Sequence, residues 1–168
     1  MDNAITKGLK IDTPDIFIPW LISPSDLERL FSNANAPLAL ENKTEFFDPF
    51  YVAQTRLFVS IDCQMYFTFN YKKLFTSKLN KISLSRNSEY WQNHTLDESY
   101  NDFQHHLELA FGKPHKTWKC TEHGFTYEQD FYEWRFSNVI ISHRVYEHHR
   151  FFEDVEIKLN NFKPYSLK

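Results

Sequence analysis

The chain has 168 residues, 42% hydrophobic and 24% charged, with a formal net charge of −3. That is the balance of a soluble globular domain, long enough to bury a core without staples. Three glycines leave no dinucleotide or P-loop fingerprint, and Cys63 and Cys120 make no metal spacing. The excess lies in the aromatics, at 18% with seventeen Phe, nine Tyr and four Trp, which favour strands and bury large areas.

Pro14, Pro19, Pro24 and Pro37 break the first forty residues into short extended pieces. The stretch "SDLERLF" predicts a short helix over about 26–32, with Ser25 as cap, Glu28 three residues on, and Leu27, Leu30 and Phe31 on one face. "ANAPLALENKTEFFDP" reads as a loop. In "TRLFVSIDC", Leu57, Val59 and Ile61 alternate against Arg56, Ser60 and Asp62. In "QMYFTFNYK", Met65, Phe67, Phe69 and Tyr71 alternate against Tyr66, Thr68 and Asn70. A period of two marks strands with one buried face, and "KISLSRN" adds a third.

The clearest element is a helix over about 96–111. Thr95 caps it, Glu98 completes a capping box, and Leu96, Tyr100, Phe103, Leu107, Ala110 and Phe111 form one stripe. Gly112 and Pro114 end it. Further strands follow: "KTWKCT" turning at Gly124, then "FYEWRFS", "NVIISHRVYE" and "EDVEIKL". Strands, helix, strands predict an α+β fold: a largely antiparallel sheet with the long helix packed on it and the short N-terminal helix beside it. Residues 1–168 read as a single α+β domain, with 1–50 as an N-terminal cover or arm.

Histidines supply the candidate chemistry. His143 shares a face with Val139, Ile141 and Val145, the pattern of a hydrogen-bonded core histidine. His148 and His149 fall in a turn and do not converge with it on one ion. His105 and Glu108 make a helical i,i+3 pair of the surface kind, and His106 borders the apolar stripe. The pairs Asp97–Glu98 and Glu153–Asp154 sit at expected element ends, where capping and solubility explain them. No nucleophile elbow exists, and neither cysteine has an activating neighbour in its local sequence. Residues 55–94 hold six Lys/Arg against two Asp/Glu, but Lys72, Lys73, Lys78, Lys81 and Arg86 with Tyr71 and Phe75 make a thin basis for nucleic acid at a pI near 6.2. Tyr90, Trp91 and Trp118 near element ends, with Tyr66 and Phe58 opposite the expected core, are either interface anchors or rings under an N-terminal cover on the second sheet face. The covered face is the first expectation.

The order "LELAFGKP", Trp118, the turn at Gly124, Trp134 and "NVIISHRVYE" resembles small bacterial immunity proteins of polymorphic or contact-dependent toxin systems over residues 95–159. A similar piece occurs in outer-membrane assembly lipoproteins, whose lipobox cysteine this chain lacks. The resemblance implies a module that binds a cognate toxin and occludes it, with no catalytic residues, no cofactor and no metal. The interface expected on that basis is Trp118, Tyr146, Glu147, His148, His149 and Arg150. No basic start with an apolar run is visible, nor about 18 apolar residues in sequence, so a cytoplasmic, non-membrane protein is expected. The alternatives are a histidine-dependent hydrolase or nuclease, with or without a metal, and a non-catalytic adaptor subunit.

Overall fold

The computed structural model describes residues 4–41, 50–58, 60–69, 77–122, 125–147 and 151–160. A hairpin of β1 (Gly8–Ile11) and β2 (Ile16–Pro19) comes first, then α1 (Pro24–Asn33). An eight-stranded antiparallel sheet follows, from β3 (Ala39–Glu41), β4 (Phe50–Leu57), β5 (Ile61–Phe69), β6 (Leu79–Ser85), β7 (Lys116–Glu122), β8 (Phe125–Arg135), β9 (Val139–Glu147) and β10 (Phe151–Leu159). Its strand order is β3-β4-β5-β6-β10-β9-β8-β7. The long helix α2 (Leu96–Phe111) crosses between β6 and β7 and packs on β8 and β10. This is the α+β fold expected, with a long helix on an antiparallel sheet and a short N-terminal helix.

Local chemistry explains the helix ends. Thr95 Oγ1 accepts from the Glu98 amide and Glu98 reaches back to the Thr95 amide, so the capping box forms. The chain leaves α2 at Gly112, whose φ of 77° suits glycine. Its carbonyl accepts from the fully buried Trp134 indole at 2.7 Å, which fastens the helix end to the sheet. The cap of α1 lies two residues before the expected one: Ser23, not Ser25, accepts from the Asp26 amide, and Pro24 fills the first turn. Glu28 instead accepts a hydrogen bond from the Tyr51 hydroxyl at 2.6 Å.

The expected continuous strand through "TRLFVSIDC" is two strands. β4 ends at Leu57 and β5 begins at Ile61, and the hairpin between them holds Phe58 at φ 51° and Ser60 at φ 101°. Because the hairpin spans three residues, Leu57 and Ile61 stay opposite each other on one face, which is why the alternation looked unbroken. The residues read as loop before it include β3.

Register ties one face of the sheet into rows. Ala53, Met65, Leu84, Val155, His143 and Tyr132 lie side by side across six strands, and Phe67, Ile82, Ile157, Ile141 and Trp134 form the next row. Phe103 and Leu107 of α2 cover this face, and Phe31 of α1 meets Phe67 edge-on at 5.8 Å. Leu9, Ile11, Ile16, Ile18 and Trp20 join the same core. The N-terminal segment therefore lies on the helix-bearing face, beside α2, and the expectation that it covers the second face is overturned. Its apolar residues needed Phe67, Phe69 and Met65, which all point to that side. Phe58 is buried there too, its ring on Phe111 at 5.2 Å, contrary to its expected place on the opposite face.

The sheet edges are guarded. β3 is three residues long, and β7 carries Lys116 and Lys119 with a register shift between Lys119 and Thr121, devices that discourage strand addition. Among the described residues, no helix is long and apolar enough to cross a membrane.

Candidate functional site

Two groups of side chains stand out, one under α2 and one on the opposite face. Beneath α2, His143 has no exposed surface. Its Nε2 lies 2.9 Å from Glu153 Oε1 and its Nδ1 lies 3.0 Å from Gln104 Oε1. Gln104 Nε2 donates to Glu108 at 2.7 Å, which fixes the amide with its carbonyl toward the imidazole. The Tyr100 ring stacks on His143 at 4.1 Å. Ser99 Oγ donates to Glu153 Oε2, and Arg86 Nε reaches Ser99 at 3.3 Å while its Nη2 holds Asp102. Arg86 also lies over the Tyr90 and Phe103 rings at 4.4 and 4.2 Å.

This arrangement fastens a helix to a sheet. A nucleophile needs a free base beside it, yet the carboxylate lies between Ser99 and His143, and both imidazole nitrogens are engaged. His106 is tied to the Phe58 carbonyl at 2.8 Å, with Asp102 3.6 Å away. Among the described residues, no group of three His, Cys, Asp or Glu is placed to hold a metal ion. Cys63 is buried, which pushes its thiol up to about 12.

The second face holds the aromatic surplus. Trp118 of β7 stacks on Phe131 of β8 at 4.1 Å. The Arg144 guanidinium of β9 lies 5.9 Å from the Phe131 ring and 5.6 Å from the Tyr146 ring. Tyr146 stacks on Phe152 of β10 at 5.8 Å, and Phe50 meets Tyr66 at 5.7 Å on the far side. Charges sit between the rings: Arg144 pairs with Asp154, and Lys81 and Lys158 pair with Glu156. Among the described residues, neither helix nor the N-terminal hairpin packs on this face. Trp118 keeps 41% of its surface exposed.

Trp118 and Tyr146, two of the six expected interface residues, thus belong to one chain of ring contacts across four adjacent strands. Glu147 ends β9. His148, His149 and Arg150 lie outside the described residues, as do Lys72, Lys73, Tyr71 and Phe75 of the basic stretch. Arg86, grouped with that stretch, is buried and turned to α2. Its inward position was readable, since it keeps step with Ile82 and Leu84. Glu153 keeps step with Val155 and Ile157 in the same way and points inward, while Asp154 points out; both are interior to β10 and neither is an end residue. Compared with protein-family models, curated proteins and solved structures, the chain has no significant match.

Proposed function

We propose that this chain is a non-catalytic binding protein that covers a partner with the ring-bearing face of its sheet. In keeping with the resemblance of residues 95–159, the partner is a cognate bacterial toxin neutralised by occlusion. One observation carries the reading: Trp118, Phe131, Arg144, Tyr146 and Phe152 form a continuous array on a face that neither α1 nor α2 covers. Partly exposed aromatic rings flanked by an arginine are the residues that dominate binding energy at protein interfaces. A regular sheet holds them rigid before the partner arrives, which lowers the ordering cost of association. Guarded edges leave the face, not strand addition, as the binding surface.

The test is growth protection on co-expression with the toxin encoded beside the gene. Trp118→Ala combined with Tyr146→Ala abolishes protection and weakens the complex by at least about thirtyfold, the loss of one strong anchor. The melting temperature stays within roughly 3 °C, since both rings are partly solvated. Full protection by the folded double variant overturns the proposal.

A further inference from the structure

β6 and β10 run together from Lys158↔Lys81 to Val155↔Leu84 and then part. β6 goes on to Ser85 against Gln64 of β5, while β10 reaches back to Phe151 against Glu147 of β9. The parting opens a groove of about 1010 Å³ on the ring-bearing face, bordered by Trp91, Tyr146 and Phe152 and reaching down to Arg86 and Glu153.

The two outward carboxylates of β10 at this groove are not equally provided for. Glu156 has two ammonium groups, Lys81 and Lys158, each at 3.2 Å. Burial pushes its carboxyl up, but the two lysines together outweigh burial and hold it below its ordinary value. Among the described residues, Asp154 has one cation within bonding distance, with Lys81 acting on it from farther off. Arg144 Nε and Nη2 both reach Oδ2 at 3.2 Å, and Oδ1 accepts nothing from any described residue. Burial outweighs Arg144, so this carboxyl is pushed above its ordinary value. Among the described residues, the end of the groove at Asp154 is therefore served by fewer bonded cations than the end at Glu156. The rings of this chain already serve as seats for guanidinium, under Arg144 and on two sides of Arg86.

We infer that, given the docking face proposed above, the groove where β6 and β10 part receives a basic side chain of the protein partner, its cationic head on Asp154 Oδ1 and its stem along Phe152 and Trp91. An acidic side chain would meet Arg144 and Lys81, which are already bonded to carboxylates, and would face Asp154 with like charge. An apolar side chain would dry Asp154 without supplying a donor, which costs more than it returns.

The probe is the peptide acetyl-Gly-Arg-Gly-amide, beside the same peptide with citrulline or glutamate in place of arginine. Binding is followed by the backbone amide resonances of the full chain at pH 7. The arginine peptide shifts residues 144–146 and 152–156 saturably, in the millimolar range expected of one side chain, and citrulline binds at least about fivefold more weakly. Asp154→Asn, which still accepts from Arg144, weakens the arginine peptide by at least about fivefold, an ion-pair's worth at a partly buried site. Asp154→Ser serves if that variant fails to fold. Equal binding of citrulline, tighter binding of glutamate, an unaffected Asp154→Asn, or no saturable shift overturns the inference. Loss of protection on Trp118→Ala with Tyr146→Ala, without arginine selectivity, keeps the docking face and removes only the cation seat. Arginine selectivity with protection intact in that double variant does the reverse.

Discussion

Replacing Glu153 by alanine is the sharpest test of what holds α2 to the sheet. The carboxylate is 3% exposed and holds both the fully buried imidazole of His143 and the Ser99 hydroxyl. Glu153→Ala strands both and leaves a void where the side chain was. Removing one member of a buried pair costs about 3–5 kcal/mol, most of it the burial of the partner left alone. With an unfolding entropy of roughly 2.1 cal/mol/K per residue, that lowers the melting temperature by roughly 8–14 °C for a chain of this length. The assay is urea unfolding followed by far-ultraviolet circular dichroism, with the slope m unchanged between variants. Glu153→Leu and His143→Phe, singly and together, make the cycle, since the apolar pair leaves neither the imidazole nor the carboxylate without the other. The double variant loses less than the two single losses together by at least about 2 kcal/mol. A loss under about 1 kcal/mol for Glu153→Ala, or strict additivity, refutes the network as the fastening between helix and sheet.

Three further outcomes follow from single residues. Thr95→Ala removes the side-chain half of the capping box and costs about 1 kcal/mol, read as a melting shift of roughly 3 °C. Gly8→Ala fails on space: a Cβ there would lie 2.2 Å from the Ile18 carbonyl oxygen, so the β1–β2 hairpin must open and the melting temperature falls. Acid unfolding separates the outward carboxylates of β10. Glu156, whose folded value is lowered, contributes stability that is present above its unfolded value and lost as pH falls through the folded one, so Glu156→Gln reduces the pH dependence on the acid limb. Asp154, whose folded value is raised, works in the opposite sense. Its charged form is disfavoured on folding, so Asp154→Asn costs less than Glu156→Gln at pH 7, and the reverse order in urea titrations would refute that assignment.

Much of the architecture was legible because it rests on short-range chemistry. The stripe and capping box of α2 need only neighbours within four residues; the capping box formed as read, and so did the stripe except at Ala110, which is exposed. Strand alternation placed Val139, Ile141, His143 and Val145 inward together. The turn at 58–60 was hidden because a hairpin can preserve the very parity that marks a strand. Trp118 and Tyr146 were expected as anchors from residue type and position, but their link through Phe131 and Arg144 depends on the register of the consecutive strands β7, β8 and β9, which no single strand's alternation gives.

The sequence by itself determined the class of fold, the long helix and the inward residues of each strand, since those follow from periods of 3.6 and 2 and from local caps. Tertiary structure alone decided which face the first thirty residues would cover. Either face of an antiparallel sheet can be buried, and the choice fell to Phe31, Tyr51 and Phe67, which meet only when β4 and β5 are already paired. It also decided that Arg86, Ser99, Glu153 and His143 become one buried network and that Asp154 keeps an oxygen to which no described residue donates. Partnerships of buried polar groups depend on strand order, and strand order is a property of long-range pairing that no local window contains.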